Sequence, residues 1–234
     1  PIEESHEAQS RFTSDASHEL RTPLTAMKAE IEVTLRDKNL TIEESREVLE
    51  SNLEEVNKLI KLSEMLLQLS RLEYNSVERQ MVDLVPTLHE VLKRYPDDIK
   101  RFDITARKKA VTCANEAAVT EVTGILIDNA LKYSTPKSKI YIKVFEQKGM
   151  VGLEVKNDCK AIAPEILPRL FDRFFRADSA RNAGSKNGYG LGLSIAKKIV
   201  DIHAGEITVS STPQATTFTL LLPIVRKNQT NTKA

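Results

Sequence analysis

Apolar residues recur every three or four positions from Phe12 onward: Phe12, Ala16, Leu20, Leu24, Met27, Ile31 and Leu35. That spacing is one stripe along an α-helix and fits no strand, where side chains alternate with a period of two. Asp37-Lys38-Asn39-Leu40 then reads as a turn, and Thr41 with Glu44 forms a capping box that opens a second helix. Leu49, Leu53, Val56, Leu59, Ile60, Leu66 and Leu67 carry it towards Tyr74 in a nearly heptad rhythm. Two helices of about 30 residues, roughly 45 Å each, joined by so short a turn make an antiparallel hairpin. A hairpin alone buries little of either stripe. The expected cover is a second copy of the chain, giving a dimeric four-helix bundle. The plainer alternative is a hairpin packed on its own downstream domain.

After Ser76 the pattern changes. The hairpin is assigned to residues 1–76, a linker to 77–82, a second domain to 83–226 and a disordered polar tail to 227–234. "KIYIKVFE" (139–146) and "GLEVKN" (152–157) read as strands of a hairpin around Lys148-Gly149. "GEITVSS" (205–211) and "TTFTLLLP" (216–223) read as another. Helices are predicted at 116–133, 164–174 and 191–203. The whole is an α+β chain, with the second domain layering helices on one face of a sheet.

Several classes fall away on composition. With 41% hydrophobic and 29% charged residues the chain is an ordinary globular one. A net charge of +1 without a strongly basic face argues against nucleic acid as a partner. Cys113 and Cys159 have neither metal-ligand spacing nor a disulfide framework, which fits a reducing compartment. The apolar runs are far short of the roughly 20 residues that span a bilayer.

"SHELRTPLTA" (17–26) carries the first chemistry. On a helical wheel His18 points about 160° away from the apolar stripe, Thr22 lies one turn later on the same wet side, and Glu19 sits on the flank. A carboxylate beside an imidazole can accept the Nδ1 proton and leave Nε2 as a nucleophile. Pro23 removes a backbone donor beneath this pair, and a bend is expected there.

"FTSDASHELRTPLTAMKAEIEVTL" resembles the phosphoacceptor segment of sensor histidine kinases of two-component systems. The resemblance implies that His18 is phosphorylated and that the hairpin forms a homodimer. It also implies that Glu19 assists proton removal, and that Thr22 positions the water when a response regulator is dephosphorylated.

The second domain points to a nucleotide on its own residues. On the predicted helix 116–133, Val119, Val122, Leu126, Ala130 and Tyr133 form a core stripe. Asn129 and Lys132 border it, an amide oxygen suited to Mg²⁺ and an ammonium suited to phosphate. "KNGYGLGLSIAKKIV" sets Gly188, Gly190 and Gly192 just before a helix, where backbone can approach phosphate and free N–H groups face it. The stretch from Arg176 to Tyr189 reads as a polar lid loop.

These segments, with "LFDRFFRAD" between them, resemble the N, F and G2 boxes of histidine-kinase ATP-binding domains, an α/β sandwich of Bergerat type shared with gyrase. The resemblance implies ATP and Mg²⁺ as cofactors. Asn129 would ligate the metal, Lys132 contact phosphate, Tyr133 lie against adenine and Arg176 approach the terminal phosphate. Gly188, Gly190, Leu191, Gly192 and Leu193 would hold the phosphate side. One loop departs from the family pattern of Asp-x-Gly-x-Gly before Ile. In "NDCKAIAPEILPRLF", counting back from Ile162 puts Asn157 in the aspartate's place, Cys159 and Ala161 in those of the glycines; a shift of one would substitute Asp158. Ile125 stands where many relatives are polar, and "PQATTF" lacks its customary glycines, leaving Thr217 and Phe218.

The resemblance implies an ATP-dependent protein-histidine autokinase that passes phosphate from His18 to an aspartate of a response regulator receiver domain. The alternative is a pseudokinase-like dimeric scaffold with impaired nucleotide binding. Any sensing and membrane-spanning segment is expected before Pro1, making this the cytoplasmic portion of a membrane-bound sensor.

Overall fold

Capping chemistry sets where the two long helices meet. In this computed structural model, which describes residues 2–74, 78–176 and 188–224, α1 (Ile2–Arg36) and α2 (Ile42–Tyr74) flank the turn. Asp37 Oδ1 accepts the Asn39 N–H at 2.9 Å, a local turn bond of the kind Asp favours. The Thr41 N–H donates to Glu44 Oε2 at 2.8 Å, and the Glu44 N–H to Thr41 Oγ1 at 3.2 Å, which is the expected capping box. The Thr41 backbone N–H, and then its hydroxyl, hold the Glu44 carboxyl below its usual range. Across the hairpin Asn52 Nδ2 donates to Glu30 Oε2 at 2.8 Å, which fixes the axial register of the two helices. Met27, Leu62 and Leu69 are buried. Leu24, Ile31, Leu35, Leu49, Leu53, Val56, Ile60 and Leu67 are not; each is 40–80% exposed in the single chain.

The chain divides into two compact units at Glu73 and Tyr74. In the second, β1 (Gln80–Asp83) pairs antiparallel with β3 (Val111–Ala114). The main sheet runs β2 (Phe102–Ala106), β4 (Ile140–Gln147), β5 (Met150–Asp158), β7 (Ala215–Pro223) and β6 (Glu206–Ser211). Only β2 and β4 are parallel. The β4–β5 turn comes at Lys148-Gly149 as expected, with φ of 47° and 78°, the two left-handed residues of a type I′ hairpin.

Residues directly opposite in an antiparallel pair share a face. Val151, Leu153, Val155 and Asn157 of β5 therefore lie beside Val144, Ile142 and Ile140 of β4 and Thr216, Phe218, Leu220 and Leu222 of β7. All of them are buried. Against this face packs α4 (Glu116–Tyr133), which in turn contacts α3 (Leu84–Leu92) and α5 (Gly192–Ile202). Asn115 caps α4 by accepting the Ala118 N–H at 2.9 Å. Buried His203 ties α4 to α5: its Nε2 accepts the Asn115 N–H at 3.1 Å and its Nδ1 donates to the Ile199 carbonyl at 2.7 Å.

Three expectations about the fold need correction. The helix expected at 164–174 is instead a short 3₁₀ segment, Leu167–Phe171, carried by i→i+3 bonds such as Arg169 N–H to the Ile166 carbonyl. Pro168 has no N–H to close an α-helical bond back to Pro164. Residues 80–82, read as linker, belong to β1 and pair with Thr112–Ala114. Tyr133 leaves the core stripe and is 39% exposed, because it ends α4 while Val119, Val122, Leu126 and Ala130 remain buried. Helix α1 runs on through Pro23, as the apolar stripe from Phe12 to Leu35 requires. The predicted tail at 227–234 and lid residues 177–187 lie outside the described residues.

Candidate functional site

Two groups of side chains carry chemistry, one on each unit. On α1, His18, Glu19 and Thr22 are all exposed. Pro23 cannot donate to the Glu19 carbonyl, so that turn lacks one backbone bond. The hydroxyl of Thr22 donates to the His18 carbonyl at 3.1 Å, and that of Thr25 to the Arg21 carbonyl at 2.8 Å, on either side of the missing bond. These back-bonds orient Thr22 on the same side as His18, one turn away. The imidazole stands in water, with a carboxylate next to it in sequence and a hydroxyl above it.

On the second unit the site forms where the ends of α4 and β5 meet. The Thr135 N–H, just past α4, donates to the Asp158 carbonyl at 2.9 Å and holds the two ends together. Asn129 and Lys132 are half-buried on α4, and the Lys132 ammonium lies 5.0 Å from the Tyr133 ring centroid. Gly188 approaches Lys132 so closely that an added Cβ would collide with Nζ. Gly192 faces Ile125 of the same helix; a Cβ there would sit 3.5 Å from Ile125 Cγ2. Leu191 is buried and Leu193 half-buried at the start of α5. Thus Gly188 and Gly192 lie against α4.

Gly190 is the tightest point. Its φ is +71°, and a Cβ would fall 2.6 Å from the Phe175 carbonyl oxygen and 2.7 Å from the Phe174 carbonyl carbon. Both obstacles are backbone. Gly190→Val is therefore expected to displace the row and weaken ATP binding about tenfold or more, since left-handed backbone alone costs an L-residue roughly 1–2 kcal/mol. Calorimetric titration beside a thermal melt checks it; unchanged affinity would dissociate the row from the nucleotide.

Strand alternation separates the candidates on β5 and β7. Asn157 faces the helix layer and is 2% exposed; Asp158, next along the strand, faces the other way and is half-buried. Thr217 pairs with Lys156 and also lies on the far face, which corrects its assignment to the nucleotide side. Its neighbour Thr216 is opposite Asn157 and buried. The phase of Phe218, Leu220 and Leu222 in "TTFTLLLP" was the signal for it. Thr216 Oγ1 accepts from Cys159 Sγ at 3.1 Å and lies 3.0 Å from Ser211 Oγ, which accepts the Ile162 N–H at 3.0 Å. Cys159 thus joins a network that pins loop 158–162 to the β6–β7 end. Phe171 packs edge-on to Phe218 at 6.4 Å, and Arg169 lies 4.4 Å over Phe175. Arg176 is exposed at the end of this segment.

The residues present fit a purine nucleotide. Asn157 Nδ2 is buried without a partner among the described residues, and the backbone at Gly188 comes close to the Lys132 ammonium. A helical hairpin with an exposed His-Glu pair, joined to an α/β sandwich with a glycine row before a helix, defines a two-unit class of protein.

Comparison agrees with that class. Residues 8–75 match the family described as His Kinase A (phospho-acceptor) domain. Residues 114–226 match the Histidine kinase-, DNA gyrase B-, and HSP90-like ATPase family. The chain is 36% identical over 231 residues to the signal transduction histidine-protein kinase ArlS of Staphylococcus epidermidis, covering 96% of this chain and 50% of that protein. It is 32% identical over 227 residues to the sensor histidine kinase CusS of Escherichia coli K12, covering 95% and 47%. The chain spans about half the length of the curated relatives it matches. Among solved structures, Acinetobacter baumannii histidine kinase AdeS superposes with a TM-score of 0.71 at 23% identity, over 89% of this chain and 98% of that one. Histidine kinase ThkA, in complex with response regulator protein TrrA, gives 0.74 at 20% identity, over 97% and 67%. At these identities the structures show a shared fold. The chain belongs to the sensor histidine kinases of two-component systems.

Proposed function

We propose that this chain is the kinase core of a sensor that uses ATP to phosphorylate its own His18 and passes the phosphoryl group to an aspartate on a response regulator receiver domain. One observation carries the reading: an exposed imidazole with its own carboxylate shares a chain with an ATPase fold whose Gly188 and Gly192 lie against Lys132 and Ile125, on the helix that carries Asn129. Bound ATP supplies the phosphoryl group, and Mg²⁺ offsets its charge. In this reading Asn129 would give an amide oxygen to the metal and Lys132 an ammonium to phosphate. His18 presents Nε2 as the nucleophile; the Nε2–P bond forms as the bond between the γ-phosphorus and the bridging oxygen breaks and ADP leaves, while Glu19 accepts the Nδ1 proton. Thr22, set by its bond to the His18 carbonyl, positions water for dephosphorylation of the regulator. Tyr133 and Arg176 are assigned to adenine and the terminal phosphate.

Two copies act together in this proposal, joined by the exposed stripe of the hairpin. The chain is read as the cytoplasmic portion of a longer membrane-bound sensor, supported by its covering half of such relatives. No helix among the described residues is long and apolar enough to cross a membrane.

Labelled ATP with Mg²⁺ tests the activity: acid-labile, alkali-stable label on the protein is expected. Asn129→Ala should cut Mg-ATP affinity about tenfold or more and reduce labelling with it, through loss of a metal ligand. Unchanged Mg-dependent affinity would remove Asn129 from the metal. The presence of Asn157, Cys159 and Ala161 in the base loop favours a second reading, a pseudokinase-like dimeric scaffold with impaired nucleotide binding. Titration without detectable ATP binding would select it.

A further inference from the structure

Asn157 has a buried amide donor with nothing to bond. It is 2% exposed on the helix-facing side of β5, and Nδ2 has no partner among the described residues. Its cross-strand neighbours offer no relief. Ile140 is apolar, and Thr216 Oγ1 already receives the Cys159 thiol and lies within bonding distance of Ser211. Buried N–H groups are nearly always paired, so the open donor points to a ligand acceptor.

We infer that the base subsite takes 6-oxopurine nucleotides of the inosine type as well as ATP. The inference rests on the nucleotide reading above. Adenine shows an exocyclic amino donor beside a ring-nitrogen acceptor, whereas a 6-oxopurine shows a carbonyl acceptor beside a ring N–H donor. A primary amide carries one acceptor and one donor group side by side and so matches the adenine edge. Turned half a revolution about its last side-chain torsion, it matches the 6-oxopurine edge equally well; that torsion is broad and roughly two-fold. A carboxylate in the same place is acceptor-only. It would serve the adenine amino group and set its lone pairs against the 6-oxo oxygen. The residue at 157 therefore decides base selectivity, with Asn permissive where Asp would be strict.

Calorimetric titration of the full chain with ADP and IDP tests this, since neither diphosphate is consumed by autophosphorylation. The native chain is expected to bind the two within about threefold of each other. Asn157→Asp should tighten ADP and weaken IDP, widening their ratio to about tenfold or more. An unchanged ratio in the variant, or a native chain already more than about tenfold selective, overturns the inference while leaving the nucleotide site intact. If the buried carboxylate prevents folding, Asn157→Ala answers instead: equal losses for ADP and IDP are expected, and a loss confined to ADP overturns it. Failure of native, folded protein to bind either diphosphate defeats the nucleotide reading itself, and the selectivity falls with it.

Discussion

His18→Gln is expected to abolish phosphoryl uptake, with no acid-labile, alkali-stable label above background, while ATP binds as tightly as to the native chain. The two halves of this result have separate physical causes. Gln is a neutral side chain of similar reach, but its amide nitrogen shares its lone pair with the carbonyl and cannot replace an imidazole Nε2. Position 18 is exposed on α1, whereas the nucleotide candidates lie on α4, β5 and the row before α5, in the other unit. Glu19→Gln provides the graded contrast. It leaves the nucleophile and removes the proton acceptor, so a loss of about a hundredfold or more in labelling rate is expected with label still accumulating. Full labelling of His18→Gln would require another acceptor and end the assignment. Loss of ATP binding in the same variant would mean that the substitution acts through folding.

The elements most legible in the sequence are those fixed by local chemistry. The Thr41–Glu44 box satisfies orphan N–H groups at a helix start and forms as the residues dictate, and the helix expected at 116–133 spans those residues. The Lys148-Gly149 turn likewise requires left-handed backbone, which glycine supplies. What escaped depends on partners distant in sequence. β1, β2 and β3 are four or five residues long, too short for alternation to speak; β1 and β3 exist because they pair with each other, and β2 because Ile140–Val144 pairs with it. The choice between Thr216 and Thr217, and between Asn157 and Asp158, is a matter of strand register; a shift of one residue exchanges the two faces. Residues near each other in the site are brought there by α4 and β5, whose ends meet only in the folded unit. Gly190 shows the same limit. Its sequence suggested a phosphate loop, but the need for glycine comes from the Phe174–Phe175 backbone.

Leu53→Asp is expected to convert the proposed dimer into a monomer by light scattering at micromolar concentration, with loss of helical signal from the hairpin and retention of ADP binding. Leu53 is 59% exposed in the single chain, on the same helix as Leu49, Val56, Ile60 and Leu67, and α1 adds Leu24, Ile31 and Leu35. Fully burying one such side chain is worth about 1.5–3 kcal/mol, so several half-exposed ones together offer far more than a marginal hairpin can discard. Two-fold symmetry doubles the substitution: each dimer would carry two carboxylates in its core. A charge without a partner there costs several kcal/mol, on top of the lost apolar contact. The second unit has its own buried sheet face and helix layer, so it should keep its fold and its nucleotide. A monomeric variant that stays fully helical in the hairpin and fully active would show that the stripe has another cover and that the bundle is not its purpose.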